Sequence, residues 1–270
     1  MLPTDHPIQL YQYNSSNGWN ILPSRIIGEA SVSLTVNGEV WLSFMCTPAD
    51  LEAMAVGFLF NEGIIQSWTE VAAVSACADG TNIDVWLNRP VLKPTQWRRT
   101  SGCTGGVTSA TTSRPQSIGV PFERITPDML LNAMDDLLKA QDLYREARGV
   151  HCSAVSDGLK IIYRAEDIGR HNTLDKLAGQ ILMHPRPLSL RIILTTGRIS
   201  SEMLQKSSRL GAAVVLSRTS PTSLSVEMAG DMGITLIGYA RRNQFLVYTH
   251  PERIAAEEFI QKAVPDILPV

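Results

Sequence analysis

Cys103 lies in the stretch "RRTSGCTGGVTSATTS", residues 98–113, where two arginines precede a lone cysteine set among glycines, serines and threonines. The thiolate is the reactive form of cysteine, and nearby cations lower its pKa. Arg98 and Arg99 stand within five residues of Cys103, near enough to act on the thiol if the loop folds over it. Gly102 on one side and Gly105-Gly106 on the other leave the sulfur unhindered. Composition leaves two readings open: a thiol that visits two partners in turn, or an incidental loop cysteine. The remaining cysteines, Cys46, Cys77 and Cys152, are widely spaced with no CxxC, so neither a disulfide framework nor a standard zinc site is expected. Cys46 and Cys77 fall in apolar strand contexts and read as inert core thiols. His151 and Cys152 fall in one expected strand, whose alternation turns at most one of them toward a pocket.

A second group of chemistry-bearing residues recurs with one plan: a buried strand ends, polar residues gather and a helix begins. The three loops are "EDIGRHN" (166–172), "TTGRISSE" (195–202) and "SRTSPTS" (217–223). In open α/β sheets the carboxyl ends of strands line the ligand crevice. Helix N-termini offer unpaired N–H groups and the positive end of the dipole to an anion. The candidate pocket residues are Asp167, His171, Thr195, Arg198, Ser217 and Thr222, with Arg170 and Arg218 as further charged donors. Any one loop alone reads equally as a capped helix with a solvated arginine; three on one sheet edge point to an anion or nucleotide pocket. His171 reads as a ligand donor or as a helix-start residue. A fourth element, "YARRNQ" (239–244), is a tight polar turn between two strands with Arg241 and Arg242 side by side. It reads as a charged hairpin tip or as part of the same site.

The elements that must position these residues follow from periodicity. "SVSLTVNGEVWLSFM" alternates apolar and polar residues around Asn37-Gly38, a hairpin signal. "TPADLEAMAVGFLFNEGII" predicts a helix with Thr47 as N-cap, Pro48 at its first position and Gly63 as its stop. "TNIDVWLN" places Ile83, Val85 and Leu87 on one strand face. Residues 93–121, rich in Pro, Gly, Ser, Thr and Arg, read as a mobile loop between domains. From Thr126-Pro127-Asp128 an amphipathic helix is expected to run to about Arg148. Then follow paired strands over "GVHCSAVSD" and "LKIIYRA" and a helix from Asn172 to Met183. The buried strands "LRIILTT" and "AAVVLSR" are separated by a helix that ends at Gly211. A helix over 222–232 and the strands "ITLIGYA" and "QFLVYTH" complete the series. This is the pattern of a layered, mostly parallel α/β sheet. The expected organisation is a β-rich α+β domain over 1–92, the cysteine-bearing loop over 93–121 and an α/β domain over 122–270.

At 270 residues the chain is long enough for one large or two moderate domains, and its 44% apolar and 19% charged residues are ordinary for a globular protein. A formal net charge of −2 gives no global attraction to nucleic acid or anionic membrane, so any anion site must be local. The N-terminal residues have neither the basic start nor the apolar core of a signal peptide, and no apolar run reaches membrane-spanning length. A reducing cytoplasm is therefore the expected compartment.

"VGFLFNEGII", "AEDIGRHNTLDKLAG", "TTGRISSEMLQK", "VVLSRTSPTSLSVEMA" and "GYARRNQFLVYTHPERI" closely resemble, in order, the signature segments of the FdhD family over about residues 30–254. The resemblance implies an accessory sulfurtransferase of formate dehydrogenase. Such a protein takes persulfide sulfur from a cysteine desulfurase and passes it to the bis-molybdopterin guanine dinucleotide form of the molybdenum cofactor, before that cofactor enters the catalytic subunit of formate dehydrogenase. It implies a cytidine-deaminase-like three-layer α/β/α C-terminal domain, a homodimer, and a site that GDP-like nucleotides can also occupy. By position it places the persulfide on Cys103. It assigns Tyr239, Ala240, Arg241, Arg242, Asn243 and Gln244 to the guanine dinucleotide segment. Many relatives carry CxxC at the loop, whereas here Gly106 stands at the second position, and "ARGVH" replaces a more glycine-rich turn before His151. A single persulfide carrier is compatible with that change; so is a non-enzymatic chaperone that binds the cofactor without moving sulfur. A nucleotide deaminase would need zinc ligands and a catalytic glutamate in HxE and PCxxC motifs. Ser153 follows His151-Cys152 and no PCxxC is present. No resident metal is expected.

Overall fold

The structure is a computed structural model that describes residues 2–95, 97–99, 107–109 and 125–254, with only the backbone of 97–99 and 107–109. Strands β1 (Asp5–Asn14), β2 (Gly18–Ile27), β3 (Ala30–Val36) and β4 (Glu39–Cys46) lead into helix α1 (Leu51–Asn61). Strands β5 (Val71–Ala76), β6 (Asn82–Leu87), β7 (Trp97–Arg99) and β8 (Val107–Ser109) follow. Helices α2 (Pro127–Lys139) and α3 (Asp142–Ala147) precede β9 (His151–Ser156), β10 (Ile161–Asp167) and helix α4 (Arg170–Met183). The chain then alternates through β11 (Ile192–Thr195), α5 (Ser201–Arg209), β12 (Val214–Ser217), α6 (Ser223–Met232), β13 (Thr235–Arg241) and β14 (Gln244–Val247).

Two compact units emerge. One contains Met1–Ser113, Gln141–Cys152 and Ala165–Pro185; the other contains Arg114–Ala140, Ser153–Arg164 and Arg186–Val270. Neither is one continuous stretch of chain, unlike the consecutive segments 1–92, 93–121 and 122–270 that the sequence suggests. Helix α4, for instance, groups with the N-terminal sheet.

In the first unit a four-stranded sheet runs β4-β3-β6-β5. The β3–β4 hairpin turns at Asn37 and Gly38, both at positive φ (49° and 84°), as a turn matched to strand twist requires. Ile83, Val85 and Leu87 are buried on one face of β6, as their alternation predicts. Phe44 of β4 meets Phe58 of α1 edge-on with ring centroids 5.0 Å apart. Helices α1 and α4 cross so closely that a Cβ on Gly57 would lie 1.8 Å from the Asp175 carbonyl oxygen, and one on Gly179 would lie 1.9 Å from that of Ala53.

Helix α1 begins later than the sequence suggests. Its N-cap is Asp50, in the left-handed region at φ 51°, and Thr47 lies outside the helix. The reason is tertiary: Thr47 donates its N–H to Asp167 Oδ2 (3.1 Å), its hydroxyl accepts from Ile168 N–H (3.3 Å), and its carbonyl accepts from Lys176 Nζ (3.1 Å). Gly63 (φ 74°) does terminate the helical segment. The helix expected to reach Arg148 also breaks. It stops at Lys139, and α3 starts afresh because the Glu166 carboxylate accepts the N–H groups of Asp142, Leu143 and Tyr144 at 2.9–3.0 Å.

In the second unit, α2 starts as read: Thr126 caps Met129 N–H at 3.3 Å, Pro127 opens the helix, and Leu130, Ala133, Met134 and Leu137 form its buried stripe. The six-stranded sheet runs β10-β9-β11-β12-β13-β14. It is mixed rather than mostly parallel. The pairs β11–β12 and β12–β13 are parallel, whereas β9–β11 and β13–β14 are antiparallel. Helices α5 and α6 supply the crossovers that the parallel pairs need, and the short turn from β13 to β14 permits only antiparallel pairing.

Replacing Gly179 by alanine places a methyl group inside the α1–α4 contact, where only backbone stands opposite. A thermal melt of Gly179→Ala should show destabilisation of upwards of about 3 kcal/mol. A melt matching wild type would mean that the two helices do not meet at this distance.

Candidate functional site

Asp167 ends β10 and is wholly buried, as is Lys176 two helical turns into α4, and their charged groups are 2.7 Å apart. The carboxylate also accepts from Thr47 N–H (3.1 Å), Gly169 N–H (2.7 Å) and Asn172 Nδ2 (2.9 Å). Lys176 Nζ donates its other hydrogens to the carbonyls of Thr47 (3.1 Å) and Glu166 (3.2 Å). Asn172 Nδ2 reaches the Met45 carbonyl at 2.9 Å. Burying two charges is tolerable when attraction and hydrogen bonds meet every lone pair and proton, and here they do. Gly169 leaves no room for a side chain, since its Cβ would meet Asn172 Nδ2 at 2.8 Å. The loop 166–172 is thereby locked. Asp167 points into this network, and Arg170 and His171 are themselves buried at the start of α4.

In the second unit the loops after β11 and β12 and the turn after β13 are laced together by hydroxyls. Thr195 Oγ1 accepts from Ser153 Oγ (3.0 Å) and from Gly197 N–H (3.1 Å). Ser217 Oγ donates to the Gly197 carbonyl (2.7 Å) and accepts from Thr219 N–H (2.9 Å). Arg218 N–H donates to Thr195 O (3.1 Å), Ile199 N–H to Ser220 O (3.2 Å), Thr222 N–H to Ile199 O (3.0 Å) and Tyr239 N–H to Thr219 O (3.0 Å). Of the expected pocket residues here, Thr195 and Ser217 are buried structural hydroxyls. Arg198, Arg218 and Thr222 are exposed, as are Tyr239, Arg241, Arg242, Asn243 and Gln244, while Ala240 is buried. The structure thus joins three of the sequence-predicted segments into one surface: 195–199, 217–222 and the start of 239–244. Asp167 and His171 belong to the other compact unit.

Tyr239 holds φ at 53°, a conformation unusual outside glycine, and the register of the β13–β14 ladder shifts between Gly238 and Arg241. Such locally strained backbone concentrates at functional sites. A Cβ on Gly238 would meet Thr219 O at 2.9 Å and Pro221 Cδ at 3.0 Å, so this glycine lets the strained turn seat against the neighbouring loop. The helix N-termini are less open to an anion than the sequence pattern suggests. Ser200 caps α5 through Met203 N–H (3.4 Å), and Thr222 and Ser225 cap α6 reciprocally at 3.3 and 3.0 Å. Arg198, Arg218, Arg241 and Arg242 stand exposed around these capped ends.

The cysteines divide clearly. Cys46 and Cys152 are fully buried. Burial, followed by the Asp167 charge, pushes the Cys46 thiol up to about 12 despite the opposing pull of Lys176. Cys77 is not the core thiol expected: it sits half-exposed in the turn after β5, where Sγ donates to Asp79 Oδ1 (2.8 Å) and accepts from Asn82 N–H (3.0 Å). The Cys77 thiol first, then the N–H and hydroxyl of Thr81, hold the Asp79 carboxyl down to about 2. Cys103 lies outside the described residues. Within the segment read as a loop, β7 and β8 pair antiparallel with Arg99 opposite Val107, and Cys103 falls in the stretch of chain between them. No group of three or more His, Cys, Asp or Glu side chains able to hold a metal occurs among the described residues. No described helix is long and apolar enough to cross a membrane.

Thr47 was read only as a helix cap and Asn172 only as a helix start, and the supporting Gly57, Lys176 and Gly179 were not singled out from the sequence. Their one signal was a polar residue inside an apolar helical run, Lys176 between Leu174 and Leu177.

Comparison with known proteins places residues 27–255 on the model of the FdhD/NarQ family. Proteins named sulfur carrier protein FdhD from Staphylococcus aureus strains bovine RF122 / ET3-1 and JH9 are each 34% identical over 238 residues, covering 86% of this chain and 90% of theirs. The crystal structure of a protein assigned as a formate dehydrogenase accessory protein from Desulfotalea psychrophila matches with a TM-score of 0.75 at 25% identity. That match covers 94% of this chain and 100% of the other.

Lys176→Met leaves the Asp167 carboxylate buried without its counter-charge and should cost about 3–5 kcal/mol in chemical denaturation. Adding Asp167→Asn to that variant should recover part of the loss, and no recovery would remove the ion pair as its cause. Cys46 carries its proton in the folded state up to about pH 12, against an ordinary value of 9.0. Near pH 9 the unfolded chain therefore ionises this thiol while the folded chain does not, so folding opposes alkylation and is weakened as pH climbs from 9 towards 12. Iodoacetamide at pH 9 should label Cys46 only after denaturation, as peptide mapping can show; labelling of the native protein would contradict the burial.

Proposed function

This chain belongs to the FdhD/NarQ family, and from that premise we propose that it is a sulfur carrier acting in the maturation of formate dehydrogenase. The observation that carries the reading is the distribution of thiols. Two of the four cysteines are sealed in the interior and Cys77 is bound into its own turn, which leaves Cys103, flanked by arginines and glycines, for the chemistry. In the proposed step the Cys103 thiolate attacks the terminal sulfur of a desulfurase persulfide. The S–S bond breaks, the desulfurase cysteine leaves as thiolate, and Cys103 carries the new persulfide. Arg98 and Arg99 favour the attacking thiolate.

The receiving substrate is the bis-molybdopterin guanine dinucleotide cofactor, which goes on to the catalytic subunit of formate dehydrogenase. Its guanine nucleotide ends are assigned to the laced loops of the second unit. There Arg198, Arg218, Arg241 and Arg242 are exposed on backbone fixed by buried hydroxyls. A guanidinium meets a phosphate through two parallel hydrogen bonds, which suits this role better than a single point charge. The reading extends to a cytidine-deaminase-like layered arrangement of the second-half sheet, a homodimer and a cytoplasmic setting. Gly106 in place of a second loop cysteine supports the rival reading of a cofactor-binding chaperone that moves no sulfur.

Incubation with a cysteine desulfurase and cysteine should add one sulfur atom to the protein by intact mass, and Cys103→Ala should abolish that gain. The same variant should yield inactive formate dehydrogenase while still binding GDP. Full maturation by Cys103→Ala would exclude the carrier and favour the chaperone. Arg241→Ala and Arg242→Ala should each weaken GDP binding roughly tenfold or more, since each removes a charge-assisted hydrogen bond; unchanged titration curves would move the nucleotide elsewhere.

A further inference from the structure

A persulfide on a carrier cysteine has two exits, and they differ by two electrons. In one, a second thiolate of the carrier attacks the inner sulfur. The S–S bond breaks, the terminal sulfur leaves as hydrosulfide, and the protein, oxidised by two electrons, keeps a disulfide. In the other, a nucleophile from outside attacks the terminal sulfur. The same bond breaks with its electron pair on the cysteine sulfur, the terminal atom passes on as neutral sulfur, and the persulfide proton returns to the cysteine as a free thiol. Only the first exit needs a second reactive thiol, so the cysteine inventory decides between them.

Besides Cys103 the chain has Cys46, Cys77 and Cys152. Cys46 and Cys152 are each 0% exposed, and an enclosed sulfur cannot line up behind an S–S bond without local unfolding. Burial and then the Asp167 charge also hold the Cys46 thiol up to about 12, so it is not the nucleophilic thiolate at neutral pH. Cys77 is half-exposed, yet its sulfur is committed at both ends. Cys77 N–H donates to Asn82 O and Gly80 N–H to Cys77 O, both at 2.9 Å, which closes the turn through Gly80 at φ 72°. Inside it Sγ donates to Asp79 Oδ1 at 2.8 Å and accepts Asn82 N–H at 3.0 Å. Thr81 fixes the same carboxylate oxygen with its N–H (3.0 Å) and its hydroxyl (2.8 Å). An attack by Cys77 on an outside sulfur would break both of its contacts. Gly106 stands three residues beyond Cys103, where a cysteine would close a CxxC disulfide.

We propose that this protein surrenders its sulfur only as neutral sulfur, to an external soft nucleophile that attacks the terminal atom, and never as sulfide by closing a disulfide of its own. This presupposes the Cys103 persulfide of the reading above. The reaction that consumes the persulfide is then a sulfur-atom transfer to a nucleophile, and any reduction of that atom to the sulfide level draws its two electrons from the acceptor. The carrier comes back as a thiol, with no disulfide reductant in its cycle.

The full chain, loaded with a cysteine desulfurase and cysteine and then freed of both by gel filtration, tests this. Left without added thiol, wild type should keep the extra sulfur by intact mass and release no sulfide. Cyanide, which attacks the terminal sulfur, should then yield one thiocyanate per chain and restore the starting mass. Cys77→Ser should behave as wild type does. Gly106→Cys, which supplies a second loop thiol, should release sulfide at least about a hundredfold faster than wild type, as attack from within the chain allows. It should end as a Cys103 to residue 106 disulfide, two hydrogens lighter than the dithiol. A Gly106→Cys variant that holds its sulfur as wild type does would overturn the proposal. So would a wild type that releases sulfide while forming a disulfide, within the chain or between copies, and peptide mapping without reductant would identify the thiol responsible. A chain that takes up no sulfur defeats the carrier reading and this proposal together, whereas self-discharge of a loaded chain defeats this proposal alone.

Discussion

A charge moved from water into a protein interior costs far more than one hydrogen bond returns, so a buried carboxylate dictates the arrangement of whatever surrounds it. Asp167 is such a group. Its counter-charge Lys176 comes from α4, two amide donors come from Gly169 and Asn172 at the head of the same helix, and the remaining donor is the N–H of Thr47 at the end of β4. Meeting those demands determines where α4 starts, why Gly169 bears no side chain and why α1 begins at Leu51 rather than after Thr47. The same neighbourhood explains the inertness of Cys46. Its thiol lies in a dry interior beside a negative charge, and both disfavour the thiolate.

The second unit solves a different problem with neutral groups. Strand ends bring backbone carbonyls and amides together with no ladder left to pair them, and Thr195, Ser217 and Ser225 satisfy them from within. A surface built on buried hydroxyls can hold arginines outward without having to bury them. The positive φ of Tyr239 and the register shift beside it belong to the same economy: local strain is held by Gly238 seating against the 219–221 loop.

Cores and periodic elements were legible in the residues alone. The Asn37-Gly38 hairpin, the Leu130–Leu137 stripe of α2 and the buried strands β11 and β12 all follow from local pattern. The family was legible too, because its signature segments are long and in order. Helix boundaries set by distant partners were not. Thr47-Pro48 is a good local helix start that a tertiary network overrides, and the break between α2 and α3 depends on Glu166, some two dozen residues away. The place of Cys77 was misread because an alternating run of small residues resembles a core strand until the Asp79 turn claims its sulfur.

The sequence by itself determined which residues are the candidates for chemistry: a cysteine between arginines and glycines, three polar strand ends and a paired-arginine turn. Residue type and spacing encode these directly. Only the tertiary structure decided which of them serve the scaffold. Asp167, Thr195 and Ser217 are of the same chemical kind as a binding residue, and what separates them is burial with every hydrogen bond directed inward. The crossing of α1 and α4 at Gly57 and Gly179 belongs with them, since a glycine shows its necessity only when the opposing backbone is in place. Hydrogen-bond partners and close approaches join residues more than a hundred positions apart, and no local pattern carries that information.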